Sequence, residues 1–412
     1  MIYDICIALG TLFFLLKKVF KRGYPLKQRL GFAKPFIASK RNKTIWVHAI
    51  SLGETKVAAQ FIAEYKRRSP DTYIVLTSIT QTGHEEAKKS QADLCFYMPV
   101  DFSWNMKYLM REIAPEQIFL VETDFWYQFL KQAKKVGAKI SLISGKISQK
   151  SALRHRKFPF ISSMLLGKID QFLLQTEEHK KYFIYAGVPE KLVSITGNMK
   201  FDAKPKEITD IEHWKEKFHL SGKEFVVSIV STHEGEENLL LDQIKPLFSK
   251  FPKLKVFLVP RHPERFDQVY TNLSKIGVNT GRYTEIDKLI GDERLILIDT
   301  MGFVPICYRL SDVGVVAGSF LSTLKGHNIL EPMMYDCALV FGPYMSEQKE
   351  LERLALEHKA GTQIKVEDLG KTLLAFMSDR SEMQQLISNA NALTLTIQGS
   401  LERTFAALKI TP

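Results

Sequence analysis

Short apolar runs alternate with amphipathic stretches along almost the whole chain. Thr44–Ile50, Tyr73–Ser78, Phe96–Pro99, Gln117–Val121, Lys139–Ser144 and Gln171–Gln175 read as buried strands, with helical stretches between them. Lys204-Pro205-Lys206 interrupts the pattern, so a domain boundary is expected near 203–212. The rhythm then resumes with Phe225–Val230, Val256–Val259, Leu295–Asp299, Val313–Ala317 and Leu339–Phe341. Residues from about 381 to 409 read as helical. Strands alternating with helices predict an α/β fold built on doubly wound parallel sheet. In such sheets ligands bind beyond the carboxyl ends of the strands.

Length and composition sharpen this in four ways. A length of 412 residues suits two domains rather than one. An apolar content of 45% is ample for packed cores, which excludes wholesale disorder. The net charge of +12 suits an anionic partner without choosing among phosphate ligand, membrane and nucleic acid. Cys6, Cys95, Cys307 and Cys337 are scattered without a Cys-x-x-Cys pair, against a zinc knuckle and in favour of a reducing compartment. At the N-terminus, Ile2–Leu16 is largely apolar and is followed by Lys17, Lys18, Lys21 and Arg22. About 15 helical residues rise roughly 22 Å, short of a ~30 Å hydrocarbon core, and snorkelling lysines lengthen the reach. A membrane anchor is expected there, spanning or interfacial, with the basic flank on the cytoplasmic side. A buried amphipathic helix is the alternative.

Several polar groups fall where such a fold concentrates chemistry. Glu54 follows the first strand in Ser51-Leu52-Gly53-Glu54, Glu122 follows the fourth, and Lys146 follows the fifth. A carboxylate at such a place either complements a helix dipole or acts as a general base, worth ~10²–10⁴ in rate. The basic stretch Lys146–Lys157, with Arg154, fits acceptor phosphates and a solvated face equally. In Asp312–Pro332 a strand ends at Gly318-Ser319, and Gly326-His327-Asn328 leads into a helical pattern. Backbone N–H groups at that helix start suit a phosphate. Asn328 and Glu331 suit either a ribose diol or a capping box. There is no Walker-type phosphate loop, no Gly-x-Gly-x-x-Gly after a strand and no solenoid repeat.

Residue identity narrows these choices. Gly318-Ser-Phe-Leu, with Gly326-His-Asn-Ile-Leu-Glu-Pro, resembles the donor-nucleotide motif of the 3-deoxy-D-manno-octulosonic acid (Kdo) transferases. His48–Glu54 resembles the family segment around its catalytic glutamate. Val-Glu122-Thr-Asp124-Phe-Trp resembles its Glu-Thr-Glu-Leu-Trp, with Asp124 a mild departure. Gly197-Asn-Met-Lys200-Phe-Asp resembles its pre-hinge motif. Ser231-Thr232-His233-Glu-Gly-Glu-Glu and Pro260-Arg261-His-Pro-Glu-Arg are near-literal matches, whereas Met301-Gly302-Phe303 stands where the family typically has Met-Gly-Glu.

The resemblance spans Arg29-Leu30-Gly31 to the C-terminal helix and implies a GT-B glycosyltransferase, two Rossmann-like domains facing a cleft. It implies an anchor at 1–22, an acceptor (lipid A) domain at 23–205, a CMP-Kdo-binding domain at 206–380, and a helix at 381–412 packing back across the cleft. By resemblance Glu54 accepts the proton, and Glu122 with Lys200 stabilises charge at the transition state. Pro260, Arg261, Met301, Gly302, Phe303, Asn328, Ile329, Leu330 and Glu331 are its nucleotide positions. Ser231, Thr232, His233, Gly318, Ser319 and His327 are further donor-site candidates. The implied partners are CMP-Kdo, a lipid A precursor and the cytoplasmic face of the inner membrane, with no nucleic acid. The implied reaction is inverting and uses neither cofactor nor metal. The alternatives are a GT-B enzyme with another sugar nucleotide and a non-catalytic, basic membrane scaffold.

Overall fold

The apolar runs of the first half form seven strands: Thr44–His48 (β1), Tyr73–Ser78 (β2), Leu94–Tyr97 (β3), Gln117–Val121 (β4), Lys139–Gly145 (β5), Gln171–Leu174 (β6) and Val193–Ile195 (β7). They lie in the order β3-β2-β1-β4-β5-β6-β7, every pair parallel. The computed structural model describes residues 26–32, 43–202, 205 and 207–410. β1 is buried along its whole length, as a central parallel strand covered on both faces must be. Its side chains alternate between two cores. Ile45 and Val47 join Phe61, Ile74 and Phe119 on one face, while Trp46 joins Val75, Ile118 and Phe129 on the other.

The second half repeats the plan with Phe225–Thr232 (β8), Leu254–Pro260 (β9), Thr280–Arg282 (β10), Leu295–Leu297 (β11), Val313–Val316 (β12), Ala338–Phe341 (β13) and Thr362–Gln363 (β14). Their order is β10-β11-β9-β8-β12-β13-β14, again all parallel. Three strands depart from the sequence reading. β7, β10 and β14 are two- or three-residue edge strands, and none is fully buried, so none carries a continuous apolar run.

The chain divides into two units, Met1–Ala203 with Ile397–Pro412, and Lys204–Thr396. The terminal helical run is broken. Ser381–Ile397 and Ser400–Leu408 are separate helices, and Gly399 between them has φ 81°. The second of these helices docks in the first unit. Asp202 Oδ1 accepts from Ser400 N at 3.0 Å and Oδ2 from Leu401 N, so Asp202 caps the helix start. Gly197, at φ 94°, leaves room for Ser400 where any Cβ would collide with it. Phe405 stacks on Phe61 at 4.9 Å.

No helix among the described residues is long and apolar enough to cross a membrane. The anchor expected at 1–22 lies outside them.

Candidate active site

β1 ends at His48, and Ser51 turns the chain into the helix Leu52–Arg68. Ser51 Oγ accepts from Glu54 N at 3.4 Å. The Glu54 carboxylate reaches back, Oε2 accepting from Ile50 N at 2.7 Å and Oε1 from the Ser51 hydroxyl at 3.2 Å. This is a capping-box arrangement shifted by one residue, so the structural role of Glu54 is real. The carboxylate remains half-buried with further lone pairs available. Burial pushes its pKa above the ordinary value, the Ile50 amide pulls against this, and the charges of Glu122 and Asp124 add to the rise. A carboxylate held in that direction is a better proton acceptor near neutral pH.

Glu122 leaves β4 with φ 66°, a left-handed conformation uncommon for a residue with a Cβ. The turn aims its side chain into the fold, where it is 3% exposed between Lys146 Nζ at 2.6 Å and Lys200 Nζ. Burial alone would raise its pKa, but the Lys200 and Lys146 ammoniums outweigh burial and hold it below the usual value. Lys200 sits on the turn Met199–Phe201, whose entry is fixed by Asn198 Oδ1 accepting from Lys200 N at 3.1 Å. A Cβ built on Gly53 would lie 3.9 Å from Lys200 Nζ, so that ammonium rests beside the helix start bearing Glu54. The first unit therefore brings together all three residues chosen for catalysis.

Two further residues join them. Lys146, which the sequence leaves open between acceptor phosphate and solvent, is committed to Glu122. Arg154 is exposed on the next helix. His48 is wholly buried, with Nδ1 2.9 Å from Thr77 Oγ1 and Nε2 3.2 Å from Asp124 Oδ2. It positions Asp124, whose charge acts on Glu54. A histidine in an otherwise apolar central strand was the available signal.

In the second unit the donor-site candidates gather at the carboxyl ends of β8, β9, β11 and β12, which are neighbours in the sheet. Ser231 (φ 63°) and Thr232 close β8, and Thr232 O accepts from Arg261 N at 3.0 Å beyond β9. Arg261 is exposed, and among the described residues no carboxylate pairs with it. His233 and His327 meet Nε2 to Nε2 at 2.7 Å with rings nearly parallel, and His262 stands edge-on to His233 at 5.2 Å. Burial first, then His233, Arg261 and His262, push His327 down to about 4, so it is uncharged at neutral pH. Gly318 (φ 73°) passes so close to the His327 ring that no side chain fits there.

That turn has an unexpected anchor. Glu236 is fully buried, and its carboxylate accepts from Gly318 N (2.9 and 2.8 Å), Phe320 N (3.2 Å) and His233 N (3.2 Å). In the sequence it stands only as one of the acids in Ser231-Thr232-His233-Glu-Gly-Glu-Glu.

Other candidates turn inward. Ser319 Oγ donates to Val316 O and accepts from Gly342 N, both within the fold. The Phe303 side chain is 6% exposed and packs against Trp214 (4.8 Å) and Tyr283 (4.4 Å), while Met301 is 59% exposed. Phe303 thus offers the ligand side only its backbone. The helix after Asn328 is just Leu330–Met333, with the side chains of Ile329 and Leu330 buried and Glu331 half-buried. Asn328 Oδ1 accepts from Leu330 N at 3.0 Å, a tight turn rather than the capping box that was one of its two readings.

Residues 25–203, which include Glu54, Glu122 and Lys200, match the 3-deoxy-D-manno-octulosonic-acid transferase (kdotransferase) family model. The 3-deoxy-D-manno-octulosonic acid transferase of Chlamydia muridarum is 29% identical over 387 residues, covering 93% of this chain and 89% of that protein. Along most of its length the chain is thus similar to Kdo transferases. It is also 25% identical to the 3-deoxy-D-manno-octulosonic acid transferase of Haemophilus influenzae over 371 residues, 89% of this chain and 86% of that one. In fold it resembles a glycosyltransferase from Rickettsia africae (TM-score 0.55, 11% identity, 90% of this chain and 98% of that one), on the two-sheet GT-B plan.

Proposed function

We propose that this protein moves Kdo from CMP-Kdo onto a lipid A precursor in lipopolysaccharide biosynthesis. The carrying observation is the grouping of Glu54, Glu122 and Lys200 at strand ends of the first unit. Glu54 takes the proton from an acceptor hydroxyl. The new bond forms between that oxygen and the anomeric carbon as the bond from this carbon to the phosphate oxygen breaks. The electron pair leaves with CMP, and configuration inverts in one displacement. Glu122 holds the Lys200 ammonium ready for the negative charge that develops on the departing phosphate.

In this reading Arg261 grips a donor phosphate by charge-assisted hydrogen bonds. The exposed Met301-Gly302 turn and the Asn328–Glu331 turn border the nucleotide. The protein works at the cytoplasmic face of the inner membrane, where both substrates meet.

The test is a transfer assay with CMP-Kdo generated in situ and a tetraacylated lipid A precursor, read by mass spectrometry. A mass gain of one or more Kdo units is expected, with competition by CMP and not by UDP. Folded protein that binds CMP but gives no product sinks the acceptor assignment. Competition by UDP instead would sink the donor.

A further inference from the structure

The positive charge of this chain is concentrated. Between Asp124 and Asp170 there are ten lysines and arginines and no aspartate or glutamate, against a net charge of +12 for all 412 residues. The centre of that stretch folds as two short helices, Gln149–Lys157 and Pro159–Leu165, meeting at a corner. Ala152, Ser162 and Leu166 are buried beneath it, and Ser162 Oγ donates to Ala186 O at 2.9 Å, so the corner is tied down.

What it presents outward is apolar. Phe160 is 77% exposed, Ile161 52%, Leu153 51% and Phe158 48%. Arg154, Arg156 and Lys157 are exposed around them, and the Arg156 guanidinium lies over the half-exposed Tyr185 ring at 5.9 Å. Bulky apolar groups in water are unfavourable unless something covers them. A cluster of aromatic and aliphatic tips inside a basic collar fits the boundary between acyl chains and anionic headgroups.

We propose that this corner is a membrane-docking surface, with Phe158, Phe160 and Ile161 entering the interface of an anionic bilayer and Arg154, Arg156 and Lys157 holding its headgroups. It acts in addition to any anchor at the N-terminus. It rests on no step of the transfer reaction.

The experiment uses the full chain carrying Phe160→Trp, mixed with vesicles of phosphatidylglycerol and phosphatidylethanolamine with brominated acyl chains. The parent protein, with its four tryptophans, supplies the background. Quenching of the introduced indole beyond that background is expected, and much less of it on phosphatidylcholine vesicles. Reversing three charges together (Arg154→Glu, Arg156→Glu, Lys157→Glu) should weaken vesicle binding about tenfold or more with an unchanged melting temperature. A third variant, Phe160→Ser with Ile161→Ser, should slow transfer to acceptor in vesicles and leave transfer to detergent-dispersed acceptor unchanged. Protein that sediments with vesicles while the introduced indole stays unquenched would overturn the proposal. So would equal quenching on neutral lipid, or retention by RNA or polyglutamate with no response to lipid.

Discussion

Lys146 Nζ lies 2.6 Å from Glu122 Oε2, so the buried acid at the end of β4 is neutralised from two sides. Removing one partner leaves a buried charge half-compensated. Breaking a wholly buried pair costs about 3–5 kcal/mol. Lys146 is 39% exposed and Lys200 remains, so Lys146→Met is expected to cost about 1–3 kcal/mol. The pKa of Glu122 is lowered on folding, so its stabilisation is present above the ordinary 4.5 and is lost as pH falls through the lower folded value. Urea unfolding should therefore show the penalty in full at neutral pH and show it shrinking below pH 4.5. A penalty of equal size under strong acid would refute this account.

Glu54 serves both as helix cap and as proposed base, and two substitutions separate the roles. Glu54→Gln keeps a capping side chain, and should hold stability while transfer falls ~10²-fold or more. Glu54→Ala should show the same loss of rate and about 1 kcal/mol of stability besides. Normal turnover of the glutamine variant would remove Glu54 from the mechanism.

The pH profile carries a second test of the same group. A base must be ionised, so activity should fall as pH drops through the raised pKa of Glu54. Asp124 contributes to that rise, so Asp124→Asn should move the acid limb of the profile to lower pH. An acid limb that stays in place would show that another group sets it.

Glu236→Ala would strand the amides of Gly318, Phe320 and His233 in a buried site. With each stranded donor worth about 1–3 kcal/mol, a loss of about 3 kcal/mol or more is expected in denaturant unfolding. Glu236→Gln, which keeps one carbonyl oxygen, should recover part of it. If both variants unfold like the parent, the carboxylate does not fasten the turn.

Phe303 and Arg261 should behave oppositely. Phe303→Ala should cost about 3–5 kcal/mol of stability as a lost core aromatic. The milder Phe303→Leu should keep CMP affinity within about threefold, because the side chain faces Trp214 and Tyr283 rather than solvent. Arg261→Ala should leave stability alone and weaken CMP binding by about tenfold or more, the worth of a hydrogen bond to a charged group. Calorimetric titration with CMP reads both, and a large affinity loss for Phe303→Leu would place that side chain at the ligand.

The central strands were legible because burial on both faces writes them as unbroken apolar runs, as in Ile45-Trp46-Val47 and Ile118-Phe119-Leu120. Edge strands such as Thr280–Arg282 carry no such mark. Spacing alone leaves Glu54 divided between complementing a helix dipole and acting as a base. Geometry supports the cap directly, and residue identity suggested the base. The links from Lys146 to Glu122 and from His48 to Asp124 were not legible. They join residues on different strand ends that only the sheet order brings together, and no local period encodes sheet order. Phe303 looked like a loss at the ligand site until its side chain was placed in the core.

The capping of Ser400 and Leu401 by Asp202, with Phe405 stacked on Phe61, also fixes the order in which the protein matures during synthesis. Residues 43–202 leave the ribosome first, yet their core lacks Phe405 until residues 400–408 have followed. The second unit is continuous from Lys204 to Thr396, so all of its core is available earlier. The first unit to be made is thus the last to be finished. A released chain ending at Thr396 would hold every residue of the second unit and a first unit still open at Phe61.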